Sequence, residues 1–271
     1  MEQKLTKAFI WRQRIGFGIS DYACNLAYLM VNTYLLFYYT NVAGIGEAAI
    51  GIMFVITKFV DAGTDYLVGA LVDRTYTKMG RNRPWMLAGA PILTIGMVLL
   101  FCVPTGWGEG GKLAYAYITY IIFSFGYTVA NIPMSSIVPT LSSDTLERTK
   151  IVTSRTMFAM FGTLTSSLMV LPLVDYFGRN GADIARGYRI TNIILSIVVF
   201  VIILVSVLNT KEINPPPKVE DKGGLLKDIT FLTKNRPYML MLALTFTFFV
   251  GYLVLYASIQ YYFTYVILLP L

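Results

Sequence analysis

The segment from Tyr188 to Leu208, YRITNIILSIVVFVIILVSVL, carries a single charge. An apolar run of about twenty residues has the length that crosses a ~30 Å hydrocarbon core as a helix. Seven such runs are drawn along the chain: Ile15–Tyr39, Ala48–Val72, Pro84–Pro104, Leu113–Pro139, Ile151–Tyr176, Tyr188–Leu208 and Tyr238–Ile267. They predict an all-α membrane protein. The balance of 56% hydrophobic to 14% charged residues follows from that arrangement. The formal charge of +7 sits in short loops between the runs, so it describes membrane topology and no nucleic-acid partner is expected.

The charged linkers also orient the chain. Lys4, Lys7, Arg12 and Arg14 lie on one side, as do Arg74, Lys78, Arg81 and Arg83, then Arg148 and Lys150, and finally the basic stretch from Lys211 to Arg236. Positive charge marks the cytoplasmic face, so the N-terminus is expected there. The third opposite loop, FGRNGADIARGYR, carries three arginines against this bias. Residues 1–14 read as a basic cytoplasmic segment without a signal-peptide cleavage site, and residues 15–208 as a bundle of six spans. Residues 209–236 read as a cytoplasmic linker, NTKEINPPPKVEDKGG followed by the amphipathic LLKDITFLT, and residues 237–271 as a seventh span opening a second bundle. The chain has no histidine, which excludes a histidine base or ligand. Cys24 and Cys102 fall in spans near opposite faces and form no metal or redox motif. Without a nucleophile and base pair, no enzyme activity is expected.

The second run is the anomaly. In KFVDAGTDYLVGALVDRT, Lys58, Asp61 and Asp65 stand at i, i+3 and i+7, on one face of a helix. Each central charge costs roughly 2.5–3.5 kcal/mol to insert, so the three should face protein or a water-filled cavity. A structural Lys58–Asp61 ion pair is one reading. The other is a coupling site, because the second carboxylate one turn on gives oxygen ligands for a monovalent cation such as Na⁺, or a group that holds a proton.

Two further helices carry polar stripes. Asp21, Asn25, Tyr28 and Asn32 line one face of the first span, and Tyr120, Ser124, Tyr127 and Asn131 repeat the pattern in the fourth, with Thr128 beside them. Arg155 is expected near the cytoplasmic end of the fifth. Inter-helix hydrogen bonds, interfacial tyrosines and a snorkelling arginine would explain these one at a time. Together they line one cavity with hydroxyls, amides, a guanidinium and aromatic faces, the mixture a sugar needs. Pro133 and Pro139, in ANIPMSSIVPT, are expected to interrupt the fourth span.

The segments GFGISDYACNLAYLMVNTYLLFYYTNV, DAGTDYLVGALVDRTYTKMGRNRPW and YTVANIPMSSIVPTLSSDTLERTKIVTSRTMFAMFG resemble the glycoside-pentoside-hexuronide:cation symporters of the major facilitator superfamily. The likeness extends to YYFTYV near the end of the chain. It implies a six-helix N-terminal bundle of a major facilitator fold plus one helix of the second bundle. Asp61 and Asp65 would be cation-site carboxylates, with Thr128 a further ligand and Lys58 standing where the melibiose carrier has an arginine. Arg155 would contact sugar, joined by Asp21, Asn25, Tyr28, Tyr120, Tyr127 and Asn131. Asn25 and Asn131 stand where the melibiose carrier has aspartates, and Ser135 where it has a tryptophan, so the chain is more similar to xyloside-type members.

The loop GALVDRTYTKMGRNRP resembles the superfamily signature between the second and third helices. Gly69 would allow close helix approach, while Asp73, Arg74, Gly80, Arg81 and Arg83 would form a cytoplasmic gate held by charge-assisted bonds. Positive-inside topology alone would also place arginines there. The resemblance implies sugar:cation symport across the inner membrane, with no cofactor beyond co-transported Na⁺ or H⁺. Family members have about twelve spans, so truncation within the second half is expected, with the C-terminal bundle as missing partner. The alternative expectation is a remnant or assembly partner that transports nothing by itself.

Overall fold

The computed structural model describes residues 6–104, 106–213 and 233–265, with side chains throughout except at 253 and 256–265. The described residues are helical, joined by short turns; the elements are α1 (Lys7–Phe37), a π-helical turn (Tyr38–Val42), α2 (Glu47–Asp73), α3 (Arg83–Leu100), α4 (Glu109–Ser136), α5 (Val138–Leu141), α6 (Thr145–Phe177), α7 (Ile184–Asn209) and α8 (Arg236–Tyr265). Helices α3, α4, α6 and α7 are long and apolar enough to cross a membrane. Helices α1, α2 and α8 are of similar length, at 31, 27 and 30 residues, and α1 and α2 carry the intramembrane charges. The chain divides into two compact units, Met1–Lys218 and Val219–Leu271.

Caps move several boundaries from those expected. Thr6 caps α1, accepting from the Phe9 N–H at 3.4 Å, so much of the basic segment expected to precede the first span is the first turns of α1. Lys4 lies outside the described residues. The Asp144 carboxylate accepts from the Leu146 N–H at 2.9 Å and starts α6 at Thr145, before the expected Ile151. Arg155 is therefore about three turns inside its helix rather than near its end. The fourth span stops at Ser136: Pro133 lies within α4, whereas Pro139 belongs to the separate turn α5. Arg186 and Arg189, expected in a loop, stand in the first turns of α7.

In the first unit, α1 packs on α6 and α7, α3 on α4 and α7, and α2 mainly on α4. A continuous core runs through Phe17, Leu26, Met30, Leu35, Tyr38 and Met97. Helices α3 and α4 approach closely. A Cβ at Gly126 would lie 2.6 Å from Leu93 Cα, one at Gly96 2.6 Å from Phe123 Cα, and one at Gly89 2.6 Å from the Ala130 nitrogen. These are backbone atoms, so the interface requires glycine. Gly69 was expected to serve this purpose and does not: a Cβ there meets nothing within 4 Å, because α2 has no neighbour on that face among the described residues.

The turn between α2 and α3 is fixed by two opposite charges at two helix ends. Arg81 pairs with Asp73 and donates from Nε to the Val72 carbonyl at 3.1 Å, placing a cation at the C-terminus of α2. Glu212, just after α7, accepts from the backbone N–H groups of Arg81 (3.0 Å), Asn82 (2.8 Å) and Arg83 (3.1 Å) at the N-terminus of α3. Gly80 has φ +107°, and a Cβ there would come within 2.5 Å of the Glu212 carboxyl carbon. Arg83 donates to the Val207 carbonyl at 2.8 and 3.1 Å. Replacing Glu212 by alanine leaves three N–H groups without their charged acceptor. It should lower unfolding stability by about 1–3 kcal/mol, read from thermal unfolding in detergent; an unchanged midpoint would refute this role.

The second unit is described only in part. The expected amphipathic stretch LLKDITFLT falls almost wholly outside the described residues, as does the chain end beyond Tyr265.

Candidate functional site

Helices α2 and α4 run side by side, anchored at one end by Val68, Val72 and Val129 with Trp85 and Ile132 packed around them. That packing sets a register in which two rungs form one helical turn apart. Ser124 donates its hydroxyl to Asp61, and Thr128 donates to Asp65 at 2.7 Å. Lys58 Nζ lies 3.4 Å from the other oxygen of Asp61. The Asp61 side chain is 18% exposed, whereas Lys58 is largely open at 63%. Both rungs border a cavity of about 360 Å³ that also includes Tyr28, Asn32, Tyr120, Tyr127 and Asn131. The charges of α2 thus face a cavity, as their insertion cost requires.

A second cavity of about 480 Å³ lies along α1, α4 and α6. At its base Arg155 Nε donates to Asp21 at 3.1 Å, and a terminal nitrogen approaches the other Asp21 oxygen at 3.5 Å and the Ser135 hydroxyl at 3.4 Å. Arg155 also lies 5.9 Å over the Phe17 ring. This guanidinium does not snorkel; it crosses from α6 to α1 as half of an ion pair. Tyr127 and Asn131 line both cavities and form the wall between them. The Tyr28 and Tyr127 rings are 5.8 Å apart, giving an aromatic surface beside that wall.

The expected site residues divide into groups. Asp61, Asp65, Lys58 and Thr128 meet at one cavity, with Tyr28 and Tyr120 on its border. Tyr120 is 6% exposed and packs edge-on against Phe54, so it backs the cavity more than it opens to it. Asp21, Asn25 and Arg155 meet at the other. The amides of Asn25 and Asn32 donate to the carbonyls of Asp21 and Tyr28 on their own helix, at 2.8 and 2.9 Å. The gate residues Asp73, Arg74, Gly80, Arg81 and Arg83 cluster at the α2–α3 turn, away from both cavities, while Gly69 stands one turn earlier on α2. Glu212 was not foreseen, nor was Ser124 as the partner of Asp61. The second had a signal: Asp61 and Asp65 are four apart, as are Ser124 and Thr128.

Residues 16–268 match the family model described as MFS/sugar transport protein. The chain is 34% identical over 241 residues to the isoprimeverose transporter of Lactiplantibacillus pentosus, covering 89% of this chain and 50% of that protein. It is 32% identical over 232 residues to a putative glycoside/cation symporter of Escherichia coli (strain K12), covering 86% and 50%. A glucuronide carrier protein homolog from the same organism is 30% identical over 241 residues, covering 89% and 51%. The chain spans about half the length of the curated relatives it matches. Its long apolar helices, with a match running almost the length of the chain, establish that this multi-pass membrane protein belongs to the MFS/sugar transport family.

Proposed function

We propose that the chain supplies the cation-coupling site and half of the sugar site of a sugar:cation symporter. The transported substrate is a sugar or glycoside, and the co-transported ion is Na⁺ or H⁺, with no other cofactor. Relatives named as sugar transporters and symporters support this class. Their doubled length suits a superfamily in which two six-helix halves bind substrate between them near the midplane, so the working partner is a second such bundle. The basic residues at the α2–α3 turn and around Arg148 support a cytoplasmic N-terminus in the inner membrane.

One observation carries the reading: α4 serves both cavities. Ser124 and Thr128 hold the carboxylates of α2, and the interleaved Tyr127 and Asn131 wall the Asp21–Arg155 cavity. The first cavity has two carboxylates against one ammonium, an excess of one negative charge. Carboxylate and hydroxyl oxygens are hard donors, suited to Na⁺, and a shared proton would satisfy the same excess. Filling the site ties α2 to α4 and so holds Tyr127 and Asn131 for the sugar; by linkage, bound sugar strengthens cation binding equally.

Equilibrium binding of radioactive Na⁺ to the purified chain in lipid nanodiscs tests the site, with proton uptake measured in parallel. One ion or one proton per chain, lost when Asp61 and Asp65 are both changed to asparagine, is the expected result. Neither ion binding nor carboxylate-dependent proton uptake would end the proposal.

A further inference from the structure

We infer that the sugar taken by this site is uncharged, a neutral glycoside or pentoside rather than a uronate. The inference rests on the symporter reading above and narrows its substrate class. It comes from the pairing of each cation that lines the two cavities. Among the described residues these cavities contain two cations, Lys58 and Arg155. Each already faces a carboxylate, Lys58 with Asp61 at 3.4 Å and Arg155 with Asp21 at 3.1 Å.

The guanidinium is the group a sugar carboxylate would seek, because arginine binds carboxylates through two parallel hydrogen bonds. Here Asp21 approaches both Nε and a terminal nitrogen, and Ser135 lies beside that same nitrogen. A uronate would have to displace Asp21, leaving a partly buried carboxylate, 13% exposed, without its partner. Arg148, two turns earlier on α6, donates to the carbonyls of Ser142 at 2.7 Å and Pro139 at 3.3 Å.

The count over both cavities points the same way. Asp21 and Arg155 cancel, and Lys58 with Asp61 and Asp65 leaves one negative charge. A bound Na⁺ or proton brings the lining to neutrality. A neutral sugar then enters a balanced lining, whereas a uronate adds an anion with no unpaired cation among the described residues of the two cavities. Tyr28 and Tyr127 offer ring faces for sugar C–H groups, and Asn131 offers amide hydrogen bonds, neither of which asks for charge.

Methyl β-D-xyloside, methyl β-D-glucoside and methyl β-D-glucuronide test the inference; the last two differ only in –CH₂OH against –COO⁻. Binding of each to the chain in nanodiscs is measured by equilibrium dialysis in Na⁺ buffer. The glucuronide is expected to bind at least about tenfold more weakly than the better neutral sugar. In Asp21→Asn the freed Arg155 should narrow that gap about tenfold or reverse it, by gain of glucuronide binding. Glucuronide binding equal to or tighter than both neutral sugars overturns the inference and leaves the symporter reading standing. An Asp21→Asn protein that folds but keeps the original ratio also overturns it. Binding of none of the three removes the sugar site itself, and this inference with it. The comparison of the three sugars requires no variant, so a misfolded Asp21→Asn protein does not remove the test.

Discussion

Replacing Asp65 by asparagine is expected to weaken cation binding by about thirtyfold or more while leaving the helices folded. The amide oxygen still accepts from Thr128, which now donates to Asp65 at 2.7 Å, so the rung between α2 and α4 survives. What is lost is the negative charge, and removing one member of a closely paired charged set costs roughly 2–5 kcal/mol, enough for that factor. Asp61→Asn should weaken binding as well, and it also removes the carboxylate facing Lys58. Thr128→Ala keeps both charges and deletes one hydrogen bond, so its effect should be smaller, about 1 kcal/mol or roughly fivefold. The order Asp65→Asn, then Thr128→Ala, then wild type, measured as radioactive Na⁺ affinity or as proton uptake, separates charge from geometry. Equal affinity in Asp65→Asn and wild type would show that the carboxylates do not hold the ion.

The second large effect belongs to packing. Gly126→Val should prevent accumulation of folded protein, because its Cβ would lie 2.6 Å from Leu93 Cα with the backbone of α3 directly behind it. Overpacking typically costs 1–3 kcal/mol where side chains can move, and here about 3 kcal/mol or more is expected since only whole-helix displacement relieves it. Separating α3 from α4 would also disturb the α2 rungs, which rest on α4. Gly69→Ala is the matched control: its Cβ meets nothing within 4 Å, so the chain should be unchanged or gain up to about 1 kcal/mol from helix propensity. Monodisperse yield and thermal unfolding in detergent read both. Well-folded Gly126→Val would contradict the close approach of these helices.

Much of the architecture was readable because bilayers permit few solutions. A run such as Tyr188–Leu208 has no other use for its length, and α7, Ile184–Asn209, brackets it. Asp61 and Asp65 were readable for the complementary reason: charge so expensive in lipid must have a polar neighbourhood. Helix ends were less accessible. The start of α6 depends on a cap by Asp144, which the hydropathy of the following residues does not register. The α1–α6 ion pair left no local trace either. Asp21 and Arg155 are separated by 134 residues, and nothing in either stripe announces that one neutralises the other. Gly69 drew attention within a family-like motif, yet the α3–α4 contact depends on Gly89, Gly96 and Gly126, whose spacing acquires meaning only when α3 lies against α4. Glu212 is a single charge in a polar linker until the turn at Gly80 gives its carboxylate three N–H donors.

The central claim is that cation and sugar sites are coupled through α4. The direct measurement is the affinity of the chain in nanodiscs for methyl β-D-xyloside or methyl β-D-glucoside, across a titration of Na⁺ and, separately, of pH. The account predicts that filling the Asp61–Asp65 site raises sugar affinity by about 5- to 150-fold, the usual range of coupling between linked sites, and that Asp65→Asn removes the dependence. Sugar binding that is measurable yet indifferent to both ions would contradict it.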